Sequence, residues 1–204
     1  MIKINKIIAR IIIISLFFFI SAPHAGASSV SYQNTKEAAR EAVWKTITSG
    51  QGSSATVAVM DEDKIIYSED INDWKESINI SGNKLVDLKH VNEEYICEVI
   101  NTIETFGSYF VLGNNIAIPH GQIFKNVYKS SISVLFMKEP VVFPGNKSVS
   151  LIFFLAALTK HEHLGTLSDI FNLAKNENFL LDLNTVKKSS ELYTLIKKYV
   201  GYTK

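Results

Sequence analysis

The sequence predicts an α/β fold in which a mixed β-sheet is flanked by helices on both sides and preceded by an N-terminal extension. Three observations support this prediction: helical periodicity over residues 72–107, strand-like apolar runs between 109 and 158, and three further helical stretches between 161 and 200. Helices, then strands, then helices along one chain are typical of a sheet with helices packed against it. The length of 204 residues is enough for one domain of ordinary size and an extension.

Residue types at helix ends place the first two helices. Asp73 or Asn72 is expected to cap the first and Asn92 the second, because short polar side chains accept backbone N–H groups at helix starts. Gly107 is expected to end the second helix. Inside that helix, apolar side chains recur at helical spacing, namely Tyr95, Ile96, Val99, Ile100 and Ile103.

Apolar runs predict the strands, which cover residues 109–112, 116–118, 131–137, 141–143 and 148–158. The turn Gly113-Asn114-Asn115 separates the first two, and Glu139-Pro140 is expected to separate the third from the fourth. The last run is the most apolar, which predicts a central strand buried on both faces. Helices over residues 161–175, 177–183 and 189–200 complete the pattern.

Composition excludes several classes of protein. Hydrophobic residues make up 47% and charged residues 20% of the chain, which is typical of a globular protein. The net charge is +1 and no basic cluster is present, so no nucleic-acid binding is expected. The single cysteine, Cys97, excludes an intrachain disulfide and a cysteine metal cluster. We expect Cys97 to be a small buried side chain of the second helix.

The first 27 residues have the layout of a secretory signal peptide. Lys3, Lys6 and Arg10 form a basic leader, residues 11–20 are almost wholly apolar, and Ala25-Gly26-Ala27 is a small-x-small cleavage signal. The apolar run is short for a membrane-spanning helix, which needs about 20 residues. An uncleaved membrane anchor is the alternative interpretation.

Residues 28–69 are interpreted as a separate segment. The sequence predicts a helix over 34–47 and a hairpin whose strands are 55–60 and 64–67. This segment resembles, over about 40 residues, the opening of secreted serine hydrolases of the β-lactamase and penicillin-binding class. The nucleophile motif of that class, Ser-x-x-Lys, is expected to be absent from the whole chain, so hydrolase activity is not expected. The main domain is expected to span residues 70–204.

The run Asn115-Ile-Ala-Ile-Pro-His120-Gly121 carries the first candidate functional residue. His120 stands at the end of an apolar segment, between Pro119 and Gly121. A neutral imidazole is a good nucleophile at neutral pH, and this placement suits presentation of a histidine at a strand end. A purely structural histidine at a strand-to-loop turn is the alternative.

His163 is the second candidate. At 100° per residue, it lies on the helix face of Leu167 and Ile170, whereas His161 lies on the opposite face. His163 is therefore expected to point towards the sheet, near the carboxyl end of the apolar strand, where α/β sheets build their sites. The N–H groups at a helix start also favour an anion such as phosphate. A buried histidine bonded to a backbone carbonyl is the alternative.

A zinc site built from His120, His161 and His163 is not expected. Catalytic zinc needs three protein ligands, and two histidines two residues apart on a helix face different ways. The sequence therefore predicts no metal site.

Residues 70–204 resemble the enzyme IIA domain of the bacterial phosphoenolpyruvate-dependent sugar phosphotransferase system, mannitol–fructose superfamily, with the ascorbate-type branch most similar. The resemblance is carried by the segments Phe106–Gly121, Lys138–Phe143, Val149–Ala157 and His163-Leu164, which follow the order and spacing of that family. It covers about two thirds of the chain and implies a mixed sheet flanked by helices.

The resemblance also implies a function. His120 matches the phosphorylated histidine of the family, and His163 matches the second histidine, which supports the phosphoryl group. His120 would accept a phosphoryl group from the phosphocarrier protein HPr and pass it to a IIB component, which serves sugar uptake through a IIC permease. No cofactor or metal is implied. Such domains work in the cytoplasm, so membrane contact would come only through the leader.

Three departures from the family accompany the resemblance. Gln122-Ile123 stands where an Arg-Pro pair often follows the phosphohistidine, and Thr102 stands where some members carry an arginine. The leader, which predicts export, would separate His120 from its cytoplasmic donor. Two other interpretations therefore stay open: an exported, non-catalytic interaction domain, and a regulatory domain of the same family with identical chemistry at His120.

Overall fold

The structure, a computed structural model, describes residues 60–122 and 125–200, with the side chain of His161 left out. Five strands form one sheet in the order β1-β4-β5-β3-β2. β1–β4 and β3–β5 are parallel pairs, whereas β4–β5 and β2–β3 are antiparallel. The strands are β1 (Ile65–Ser68), β2 (Val111–Gly113), β3 (Ile116–Ala117), β4 (Ser131–Phe143) and β5 (Lys147–Ala156).

Within the described residues, five helices cover both faces of this sheet. The first face packs against α1 (Trp74–Asp87) and α2 (Glu93–Phe106). The second packs against α3 (Lys160–Lys175), α4 (Glu177–Leu183) and α5 (Ser189–Val200). Because both faces are covered, the last six residues of β5 are all buried, as predicted for the central strand. The predicted fold class is confirmed.

The predicted helix ends are confirmed at the first two helices. Asp73, rather than Asn72, caps α1 by accepting the N–H of Glu76 at 2.8 Å. Asn92 caps α2 by accepting the N–H of Tyr95 at 3.3 Å. Gly107 ends α2 with a positive φ of 74°, which a residue without Cβ adopts readily.

The turn between β2 and β3 is the one predicted. Asn114 and Asn115 both have positive φ, 51° and 59°, as in the mirror-image turns that suit twisted hairpins. The Asn114 side chain donates to the carbonyl of Ala174 in α3, and the Asn115 carbonyl accepts the N–H of Leu151 in β5. The turn thus ties the hairpin to the neighbouring elements.

The expected break at Glu139-Pro140 is wrong. β4 runs without interruption from Ser131 to Phe143, with a shift in its pairing to β5 between Phe136 and Val141. Proline is tolerated here because β1 reaches only to the position opposite Met137, so this part of β4 lacks a neighbour on one side.

The expected domain boundary at Asp70 needs correction. Residues 65–68 form β1 of the main sheet, paired parallel to β4 from Ile65–Val134 to Ser68–Met137, rather than the second strand of a hairpin. A short 3-10 turn, Glu62–Lys64, precedes it. The predicted leader, the helix over 34–47 and the strand over 55–59 lie outside the described residues. Within residues 60–122 and 125–200, no helix is long and apolar enough to cross a membrane.

Two expectations from the sequence are wrong: that Cys97 is buried, and that the chain lacks the motif Ser-x-x-Lys. Cys97 is exposed, because α2 turns Tyr95, Ile96 and Val99 inwards instead. Ser81 begins the sequence Ser-Gly-Asn-Lys, which matches the hydrolase motif Ser-x-x-Lys within the main domain. Ser81 is buried in α1, and its hydroxyl donates to the carbonyl of Ser77 at 2.8 Å. Its place is therefore in the packing of the helix.

Gly82 allows α1 to approach α2 closely. A Cβ built on Gly82 would lie 2.5 Å from Cγ1 of Ile96 and 3.3 Å from the Phe154 ring. We expect Gly82→Ala to lower the free energy of unfolding by about 1–2 kcal/mol, because the clash outweighs the roughly 1 kcal/mol that alanine contributes to helix propensity. Urea unfolding measures this change.

The control is Asn83→Ala, at the exposed neighbouring position of α1. That substitution should leave stability unchanged or raise it slightly. A stabilised Gly82→Ala protein would show that α1 and α2 have room for the methyl group.

Candidate active site

The sheet register brings the two predicted site histidines to one edge. β3 is parallel to β5, so the chain leaving β3 follows the carboxyl end of β5. The N–H of Leu155 donates to the carbonyl of Pro119 at 3.1 Å, and an isolated parallel bridge joins His120 to Leu155. α3 begins at Lys160, four residues after β5 ends, and carries His163 in its first turns. Both histidines therefore lie where β5 leaves the sheet.

The two imidazoles are adjacent and buried. Their ring centroids are 4.8 Å apart, with the planes inclined at 66°. His120 is 6% exposed and His163 3% exposed, so His163 faces inwards as its helix position predicted. The side chain of His161 lies outside the described part of the structure.

One hydrogen bond sets the tautomer of His120. Its Nδ1 lies 2.8 Å from the carbonyl oxygen of Ile118. Because a carbonyl oxygen only accepts, Nδ1 carries the proton and Nε2 keeps a lone pair. A backbone contact two residues away thus leaves Nε2 as the nucleophilic nitrogen.

Burial keeps both rings neutral at pH 7. It lowers the pKa of His120, an effect that the bond to the Ile118 carbonyl partly offsets. Burial lowers the pKa of His163 further, to well below its usual value of 6.5, with an added effect of the neighbouring His120. Nε2 of His163 is buried and has no hydrogen-bond partner among the described residues. Such a free polar atom within a site is available to a bound group.

The start of α3 is fixed by a polar network. Thr159 caps the helix, accepting the N–H of Glu162 at 3.2 Å while donating to its Oε2 at 2.8 Å. Ser130 donates to the same oxygen at 2.6 Å and accepts the N–H of Leu158 at 2.8 Å. These bonds fix where α3 begins and therefore where His163 lies.

Tyr95 supports the chain just after His120. Its hydroxyl accepts the N–H of Gly121 at 2.9 Å and donates to the carbonyl of Leu155 at 2.7 Å. A Cβ on Gly121 would lie 2.8 Å from the Tyr95 ring, so only glycine fits this close approach. The bridge joins the His120 segment to the carboxyl end of β5.

Glu98 supports the next residue. Its Oε1 accepts the N–H of Gln122 at 2.7 Å, and Nζ of Lys125 lies 3.8 Å from its Oε2. Sequence reasoning missed both supports: Tyr95 was assigned only to the core, and Glu98 was not singled out. Their spacing of three residues, which places them on one face of α2, was the available signal.

Thr102 and Gln122, which differ from the residues usual in the family, both make hydrogen bonds with nearby groups. The Thr102 hydroxyl donates to the carbonyl of Glu98 within α2, and Thr102 is buried. The main chain of Gln122 is held by Glu98, and Ile123 lies outside the described residues.

Within residues 60–122 and 125–200, no group of three or more His, Cys, Asp or Glu side chains could hold a metal ion.

A family profile agrees with this geometry. The profile described as phosphoenolpyruvate-dependent sugar phosphotransferase system, EIIA 2, matches residues 58–199. The chain belongs to this family. The EIIA 2 match begins before β1, in agreement with the position of that strand in the sheet.

Individual relatives of this EIIA 2 domain carry two substrate names. This chain is 27% identical over 138 residues to the mannitol-specific cryptic phosphotransferase enzyme IIA component of Escherichia coli K12. The match covers 67% of this chain and 94% of that protein. It is also 27% identical over 145 residues to the ascorbate-specific PTS system EIIA component of Salmonella typhimurium, covering 69% and 94%. Both of these relatives are phosphotransferase components, and this chain is equally identical to the two.

Solved structures share the fold. The solution structure of the mannitol-specific cryptic enzyme IIA CmtB from Escherichia coli superposes with a TM-score of 0.63 at 24% identity, covering 71% of this chain and 98% of that one. Enzyme IIA of the Escherichia coli mannitol system, solved in complex with phosphorylated enzyme IIB, gives 0.59 at 19% identity, covering 68% and 97%. A IIA domain of this fold therefore pairs with a IIB component.

The Tyr95 bridge can be tested by Tyr95→Phe. The substitution leaves the carbonyl of Leu155 and the N–H of Gly121 without this partner, so we expect the free energy of unfolding to fall by about 2 kcal/mol. Urea unfolding at pH 7.5 measures the loss. Tyr128→Phe, at a side chain that is 62% exposed, is the control and should change stability little. Equal stabilities of the two variants would contradict the assigned role.

The buried neutral histidines predict a pH dependence of stability. Unfolded histidines titrate near 6.5, whereas the folded pKa values of His120 and His163 are lower. Below about pH 6.5 the unfolded chain therefore binds more protons than the folded chain, and the free energy of unfolding falls as the pH falls.

Urea unfolding of the wild-type protein and His163→Gln at pH 7.5, 6.5 and 5.5 measures this effect. We expect a smaller decrease in the variant, because glutamine does not titrate. Identical pH profiles would show that His163 does not resist protonation in the folded state.

Proposed function

We propose that this protein is a phosphocarrier of the sugar phosphotransferase system, in which His120 accepts a phosphoryl group and passes it on. The observation that carries the proposal is the pair of buried imidazoles 4.8 Å apart, with Nδ1 of His120 held by the Ile118 carbonyl. The family match and the phosphotransferase relatives support it.

The proposed chemistry needs no cofactor. The Nε2 lone pair of His120 attacks phosphorus in line, and an N–P bond forms as the bond from phosphorus to the donor breaks. The electron pair of the broken bond stays with the donor, and the proton stays on Nδ1, where it is donated to the Ile118 carbonyl. Phosphoryl transfer depends mainly on positioning and charge stabilisation, which the protein supplies.

His163 is assigned the stabilising role. Its Nε2 has no hydrogen-bond partner among the described residues, and its ring is buried 4.8 Å from that of His120. As a hydrogen-bond donor, this nitrogen would stabilise the oxygens of the transferring group. Removal of one such donor typically lowers a rate by about 10²–10³-fold.

The proposed partners are HPr as the donor and a IIB component as the acceptor. The related IIA from Escherichia coli forms a complex with phosphorylated IIB, which supports the second partner. For the transported substrate, the proposal is the ascorbate type. Deletion of the neighbouring IIB genes tests it, because uptake of ascorbate rather than of mannitol should then be lost.

Phosphorylation of the full-length chain tests the proposed function. We expect phosphoenolpyruvate, enzyme I and HPr to transfer one acid-labile phosphate to the wild-type protein and none to His120→Ala. His163→Ala should be labelled about 10²-fold more slowly. His161→Ala, on the same helix, is the matched control and should be labelled at the wild-type rate. Mass spectrometry locates the phosphate.

Two results would contradict the proposal: absence of label on the wild-type protein, and unchanged label in His120→Ala. The first result would favour the non-catalytic interaction domain, and the second would assign the phosphate to a residue other than His120. Cell fractionation then examines the predicted leader, since a processed product beginning at Ser28 outside the cytoplasm would support export.

A further inference from the structure

We propose that Glu98 is a positioning residue for the phosphoryl acceptor. Its carboxylate holds the chain after His120, and its negative charge keeps the phosphorylated form high in free energy, which favours onward transfer. The inference rests on the proposed phosphocarrier function and adds a residue to its mechanism.

The first support is the position of the Glu98 contact. Tyr95 and Glu98 lie one turn apart on α2 and bind successive N–H groups, those of Gly121 and Gln122, at 2.9 and 2.7 Å. Oε1 of Glu98 would lie 3.2 Å from a Cβ on Gly121. The carboxylate is therefore packed against the main chain that immediately follows His120.

The second support is an unsatisfied oxygen. Oε2 of Glu98 is buried and makes no hydrogen bond within the described part of the chain. The nearby cation, Lys125, is 3.8 Å away on a side chain that is 59% exposed, a geometry that contributes little to stability. A buried carboxylate oxygen without a hydrogen bond is costly, so its presence beside the acceptor segment points to a functional use.

The third support is the electrostatic effect of the Glu98 carboxylate on neighbouring side chains. Burial raises the pKa of both Tyr95 and Tyr109, and the Glu98 carboxylate raises each further. The Tyr109 ring lies 6.4 Å from the His120 ring, so one of the groups that Glu98 affects is a neighbour of His120. Because a phosphoryl group carries about −1.5 to −2 charge at neutral pH, phosphorylation places like charges in one weakly hydrated region.

The charge and the hydrogen bond can be separated by two substitutions. Glu98→Gln keeps an oxygen that accepts the N–H of Gln122 but removes the charge. Glu98→Ala removes both. Glu104→Gln is the matched control, since Glu104 is an exposed carboxylate of the same helix that pairs with Lys75 at 2.5 Å.

The experiment equilibrates each full-length protein with a fixed ratio of phospho-HPr to HPr and measures the ratio of phosphorylated to free His120. We expect Glu98→Gln to raise this ratio about fivefold or more, because the repulsion is lost. Its rate of phosphoryl acceptance should stay within about threefold of wild type. Glu98→Ala should accept phosphate at least about tenfold more slowly, because the segment is no longer held. Glu104→Gln should match wild type in both.

An unchanged equilibrium ratio in Glu98→Gln overturns the inference, even where His120 is labelled normally. Absence of label on wild-type His120 overturns the proposed function together with it, so the two failures are distinguishable. If Glu98→Ala fails to fold by circular dichroism, the equilibrium ratio of Glu98→Gln decides alone. A merely structural role for Glu98 would not shift that ratio.

Discussion

The site depends on the parallel pairing of β3 with β5. β3 has only two residues, yet Ile116 and Ala117 pair with Leu151 and Ile152 in the most buried strand of the sheet. The same direction continues past β3, where the Pro119 carbonyl binds the N–H of Leu155. This pairing delivers His120 to the edge at which β5 ends and α3 begins. Displacement of β3 by one residue would turn its side chains to the other face and misplace the histidine.

The groups around His120 form hydrogen bonds with it and with the main chain that follows it. The Ile118 carbonyl accepts a hydrogen bond from Nδ1 of His120, the Tyr95 hydroxyl accepts one from the N–H of Gly121, and Glu98 accepts one from the N–H of Gln122. Each bond stabilises an irregular, partly buried segment whose pairing with β5 is limited to an isolated bridge at Leu155. The same bonds fix which imidazole nitrogen is nucleophilic and in which direction it points. Stability and chemistry therefore rest on one set of contacts.

In the proposed function, burial suits the two histidines to phosphoryl transfer through neutral rings rather than to acid–base catalysis by charged rings. Desolvation lowers both pKa values, so each ring stays neutral at pH 7 and His120 retains its lone pair. The polar network at the start of α3, from Thr159 to Ser130, fixes the helix turn that places His163 beside His120. The departures from the family at Thr102 and Gln122 leave this arrangement intact, since both contribute bonds to the α2 and main-chain framework.

The sequence by itself determined the local features of the protein. Caps at Asp73 and Asn92, the Asn114-Asn115 turn and the inward face of His163 follow from nearest-neighbour geometry, which residue types record directly. Tertiary structure alone decided that residues 65–68 belong to the sheet, that β4 passes through Pro140, and that Tyr95 and Glu98 reach the segment after His120. The Tyr95–Gly121 and Glu98–Gln122 contacts join residues 26 and 24 positions apart. The other two features depend on the order of strands in the sheet. The periodicity of apolar residues indicates which side chains are buried but not which residues they contact. Only the packed sheet therefore shows these contacts.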